Sequence, residues 1–132
     1  MGSYTKSEME DAIKSITSMI GRSEKAQMKF SAGTSQHTLQ ENRIHSLNIA
    51  ISLVKQELTG DNIMDDYTED EIKKAYAPIH SLISKSEKAR GKLAKGTWQY
   101  KMLTDNLKAL KIVSLLLEAV LDFTKQKKEY ML

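Results

Sequence analysis

Slid against itself by 63 residues, the sequence aligns residues 4–58 with residues 67–121 without a gap, and 19 of the 55 pairs are identical. A repeat of this length is one supersecondary unit, and the two copies are read as halves of a single domain. Each copy opens with Tyr-Thr-x-x-Glu. Thr5 and Thr68 are placed as helix N-caps, Glu8 and Glu71 close a capping box at the third helical position, and Tyr4 and Tyr67 are placed to staple onto Met9 and Ile72. Behind each cap runs an apolar stripe at helical spacing: Met9, Ala12, Ile13, Ile16, Met19 and Ile20, answered by Ile72, Ala75, Tyr76, Ile79, Leu82 and Ile83.

The turns follow the same logic. Gly33 and Gly96 are expected at the C′ position of helices of about 27 residues, roughly 40 Å long, because glycine takes a left-handed backbone without steric cost. Thr34 and Thr97 then N-cap the returning helices, whose stripes are Leu47, Ala50, Val54 and Leu58 in one copy and Leu110, Val113, Leu117 and Leu121 in the other. Gly60 ends the first hairpin, and an acidic connector follows. Pro78, inside the third helix, removes a hydrogen bond and predicts a kink. The expected fold is all-α: a four-helix bundle of two tandem hairpins, up-down-up-down, with both tips at one end. One domain covers 1–132, with repeat 1 at 4–60, a linker at 61–66 and repeat 2 at 67–132.

With 132 residues the chain can bury a core large enough to fold unaided. It has no cysteine, which removes disulfides and thiolate metal sites and fits a reducing, cytoplasmic setting. No apolar run approaches the roughly 20 residues of a membrane span, and the first residues lack the apolar core of an export signal. No membrane partner is expected. Ile49, Ile112, Leu115 and Leu116 fall off the stripes, an apolar surplus that predicts a homo-oligomer, a dimer or tetramer.

Charge separates along the long axis. Residues 21–45 carry four basic and two acidic side chains and residues 84–108 carry seven and two, so the tips together hold a net charge of +7, whereas Asp61, Asp65, Asp66, Glu69, Asp70 and Glu71 crowd the other end. A basic end attracts anions over a Debye length or more, which favours phosphate-bearing partners. Continued past Ile20, the inward face of the first helix meets Ser23 and Gln27, matched by Ser86 and Arg90. Continued backwards from Leu47, the second meets Arg43 and Gln36, matched by Asn106 and Gln99. Polar groups so placed hydrate, form a side-chain network or hold a ligand.

The identities point the same way. Eight are apolar, three belong to the caps and two to the Gly-Thr turns; of the six left, five lie at the tip, Ser23, Glu24, Lys25, Lys29 and Gln36 with Ser86, Glu87, Lys88, Lys92 and Gln99. Lys25 and Lys29 point away from the core stripe, so they reach a ligand shared with the inward residues only at a subunit interface or by bending round the tip. Trp98 and Tyr100 flank Gln99, with Ser35 and His37 in the matching places. Rings, amides and cations are the groups that nucleotide recognition uses, and Trp98 serves equally as a lid over the hairpin end. His37, His45 and His80 have no metal-ligand spacing. Nothing pairs a nucleophile with a base, and there is no phosphate-binding loop or dinucleotide fingerprint, so no enzyme activity, catalytic residue, cofactor or metal is expected.

The phrase SEKAxxKxxxGTxQ, at 23–36 and 86–99, followed by helices reading NRIHSLNIA and DNLKALKIV, resembles small helical proteins of Gram-positive bacteria and their phages. Among these it is similar to the phage anti-CBASS sponge proteins, which sequester cyclic-dinucleotide defence signals in an oligomer. The resemblance implies binding without turnover, in the host cytoplasm if the chain is phage-encoded. Combined with the residues, it gives an expected ligand site. Lys25, Lys29, Arg43, Lys88, Arg90 and Lys92 contact phosphate, His37, Trp98 and Tyr100 stack on bases, and Thr34, Gln36, Thr97, Gln99 and Asn106 hydrogen-bond. The tips form one shared site or two. A helical protein-interaction or immunity module whose basic end docks an acidic protein is the alternative, and single-stranded RNA binding is disfavoured by modest charge and few aromatics.

Overall fold

A computed structural model describes the backbone of residues 4–131 and the side chains of all of these except 124, 127, 128, 130 and 131. Residues 1–3 and 132, the ends of the expected domain, lie outside the described residues. There are four helices and, among the described residues, no strand: α1 (Lys6–Gln27), α2 (Ser35–Thr59), α3 (Glu69–Gly91) and α4 (Trp98–Met131).

The caps form as their residue types dictate. Thr5 Oγ1 accepts from Glu8 N at 3.0 Å while Glu8 Oε1 accepts from Thr5 N at 3.0 Å, and Thr68 with Glu71 repeats the box at 3.1 and 3.0 Å. Tyr4, Met9, Tyr67 and Ile72 all pack on the core. Gly60 caps α2 in the left-handed region with φ 76°. Helix α3 continues through Pro78.

The hairpin ends differ from the expectation. Helix α1 stops at Gln27 after 22 residues and α3 at Gly91 after 23, so Gly33 and Gly96 are not helix C′ residues. They are the third residues of turns closed by Thr34 N to Ser31 O at 3.2 Å and Thr97 N to Ala94 O at 3.4 Å. Their φ values of 89° and 94° suit a type II turn, where glycine is favoured. The physical reason lies inward. Beyond Ser23 and Ser86 the apolar side chains find little to pack on, Ala26 and Leu93 being only half-buried and Met28, Phe30 and Ala89 exposed, and burial of an apolar face is what sustains helix in water.

Each outer helix, α1 or α3, packs against both α2 and α4; α2 and α4 also meet, whereas α1 and α3 do not come into backbone contact. One core draws on all four helices. This arrangement absorbs most of the apolar surplus: Ile49, Ile112 and Leu116 are buried within a single chain, and only Leu115 of that group remains exposed. The residues that suggested self-association are therefore mostly used in folding, because α2 and α4 occupy the short diagonal and are covered on several sides. The acidic connector is packed too. Its 3₁₀ turn, Ile63–Asp66, buries Met64, whose N–H donates to Gln56 Oε1 at 3.0 Å, and the hydroxyls of Ser52 and Tyr67 lie 3.1 Å apart.

Candidate functional site

The C-terminal parts of α1 and α3 and the N-terminal parts of α2 and α4 converge at one end of the bundle, where they line an open cavity of about 220 Å³. Both hairpin tips are therefore together, and the interior there is mixed, with polar side chains set among Met19, Leu47, Leu82, Met102 and Leu103. Ser23 and Asn106, only 7% and 5% exposed, face it with Gln40, Arg43 and Ser86. The side-chain oxygen of Gln40 is buried without a hydrogen-bond partner. Burial pulls the Arg43 guanidinium below its usual value, and among the described residues no carboxylate offsets it. Arginine stays charged all the same. Asn106 likewise makes no side-chain hydrogen bond among the described residues. A half-buried cation, a free amide oxygen and a free amide thus share one small space, a combination that attracts an anion carrying a hydrogen-bond donor.

No family model, curated protein or solved structure matches the chain.

The other expected site residues are distributed as follows. Arg90 and Tyr100 come together, the guanidinium 5.7 Å from the ring centroid and donating to Thr104 Oγ1 at 3.4 Å, but outside the lining of the cavity. Trp98, 70% exposed, borders a groove of about 340 Å³ between α1 and α4 that shares Met102 and Asn106 with the cavity. His37 is half-buried, 4.0 Å from Glu41. Thr34 accepts from His37 N and donates to Ser31 O, and Thr97 accepts from Tyr100 N and donates to Ala94 O. Each hydroxyl has thus used its one donor in shaping its own turn. Gln99 is half-buried, and Lys25, Lys29, Gln36, Lys88 and Lys92 are exposed on the tip's outer surface.

Two features escaped the sequence reading. Gln40 is one: it lies seven residues before Leu47 on the same helical face, so stepping back by two turns would have found it. The other corrects the expectation that no nucleophile meets a base, since Ser114 Oγ lies 3.0 Å from His80 Nε2, across 34 residues of chain. His80 stacks on Tyr76 with centroids 4.0 Å apart, and Tyr76 donates to Glu118 at 3.1 Å, which raises the phenol above its ordinary value. Ser114 is buried in mid-helix, where neighbouring N–H groups are engaged and no oxyanion hole is on offer. The chemistry of this group is that of a polar seam between α3 and α4. Among the described residues no cluster of three or more His, Cys, Asp or Glu could hold a metal ion, and no helix is long and apolar enough to cross a membrane.

Proposed function

We propose that the chain is a non-catalytic binding protein that captures a cyclic dinucleotide or similar small phosphorylated signal at the bundle tip, as its resemblance to the phage sponge proteins implies. The observation that carries this reading is the uncompensated polarity of the tip cavity: Arg43 for phosphate, and Gln40 Oε1 for an N–H or O–H of base or ribose. The lining also pairs positions 63 residues apart, Met19 with Leu82, Ser23 with Ser86, Gln40 with Leu103 and Arg43 with Asn106. Matched positions around one space favour a single shared site for a ligand of two similar halves. A shallower groove beneath Trp98 adjoins the cavity through Met102 and Asn106. A homo-oligomer in the cytoplasm remains part of the proposal, with Leu115 and Phe123, exposed on α4 away from the tip, as the apolar side chains that would serve it.

Calorimetry against a panel of cyclic dinucleotides tests the reading. Saturable binding is expected, with the nucleotide recovered intact, and Arg43→Ala weakens it at least about 30-fold, since it removes the charged partner of a desolvated phosphate. Absence of heat and of thermal stabilisation across the panel would sink the proposal.

A further inference from the structure

Among the described residues six large apolar side chains are exposed, and four of them, Met28, Phe30, Leu39 and Trp98, stand at the tip end. Met28 is 86% exposed and Trp98 70%. They arise from three separate segments: the turn after α1, the second turn of α2 and the first residue of α4. Around them Lys25, Lys29, Lys88, Lys92 and Lys95 are exposed and make no ion pair among the described residues. Of the acidic groups at this end Asp105 is paired with Lys101 at 2.9 Å and Glu87 with Lys111 at 3.8 Å, which leaves Glu24 and Glu41 against the five lysines. The result is a net basic end surface from which single bulky apolar groups project.

We propose that this end docks onto an anionic lipid surface, with the lysines against headgroup phosphates and Met28, Phe30, Leu39 and Trp98 entering the headgroup layer. Charge complementarity selects an anionic partner. The form of the apolar groups selects a fluid one: a protein partner is held by a packed central cluster seated in pockets, whereas side chains set singly on separate segments each find their own depth in a bilayer interface, where tryptophan in particular accumulates. The expectation of no membrane partner rested on the lack of a spanning segment, and end-on docking needs none. The proposal shares only Trp98 with nucleotide capture, and is separable from it because its lysines, Met28, Phe30 and Leu39 stand outside the cavity that Arg43 and Gln40 line.

Trp98 is the only tryptophan of the chain, so its fluorescence reports the contact directly. With full-length protein and phosphatidylcholine vesicles containing phosphatidylserine, a blue shift, protection from acrylamide and co-sedimentation are expected, all absent with pure phosphatidylcholine. Lys29→Gln and Lys92→Gln each weaken partitioning roughly fivefold, and Met28→Ala with Phe30→Ala weakens it roughly tenfold, while the helical circular dichroism stays unchanged. Arg43→Ala should leave vesicle binding intact while removing nucleotide binding, which separates the two proposals. No spectral change or sedimentation with anionic vesicles at low salt overturns the inference. So does vesicle binding indifferent to Met28 and Phe30, and so does a Trp98 shift produced by an acidic protein but not by vesicles.

Discussion

In the middle of the bundle the helices meet through Ile16, Val54, Ile79 and Leu117, none more than 1% exposed; at the tip Ser23, Gln40, Arg43 and Asn106 are set among Met19, Leu47 and Leu82. The first set is what close packing and apolar burial favour. The second opposes stability, since a buried amide oxygen with no donor costs about 1–3 kcal/mol. Two regions of one interior thus answer different demands, and the tip is where local choices depart from what folding alone would select, the usual mark of a functional region.

The largest effect should come from the middle. Ile79→Ala leaves a cavity where the side chain is fully buried and lowers stability by about 2–5 kcal/mol in urea denaturation. At the tip the sign should reverse: Gln40→Leu with Arg43→Met replaces uncompensated polar groups by apolar ones of similar size and raises stability by about 1–3 kcal/mol. The same variant should no longer capture ligand, and a loss of stability instead would mean that the tip interior is already satisfied. The smallest effect concerns neither region but the opposite ends of α1 and α3. Backbone hydrogen bonds from Thr5 and Thr68 hold the carboxyls of Glu8 and Glu71 below their ordinary value of 4.5. Their stabilisation is therefore complete above that value in the unfolded chain and is lost as pH falls through the lower, folded one. Glu8→Gln with Glu71→Gln should flatten the acid limb of a stability–pH profile, and an unchanged limb would assign it to other carboxylates.

What could be read from sequence was what is local. The capping boxes need only four consecutive residues, and the stripes only a period, so both are found where the spacing put them. Helix ends depend on what the far turns can bury, which is why α1 and α3 fall short of Gly33 and Gly96. Arg43 and Asn106 were placed inward by helical angle alone, and both line the cavity. Arg90 was assigned inward by the same arithmetic, yet its cation–π contact with Tyr100 draws it out of the cavity lining. The pairing of Ser114 with His80 depends on the register of α4 against α3, which no single helix encodes, and the burial of Ile49 and Ile112 depends on which diagonal closes.

That choice of diagonal also governs how the molecule opens. Since α1 and α3 each pack on α2 and α4 but not on one another, a displacement of one outer helix need not carry the other with it. Each carries one wall of the tip cavity, Ser23 and Ala26 on α1, Leu82 and Ser86 on α3. Outward displacement of the tip end of either would widen the cavity from one side only, a route for a bulky guest that local opening of a helix end supplies without global unfolding. Amide exchange should carry that signature, slowest along the centres of α2 and α4 and faster in the two flanking helices.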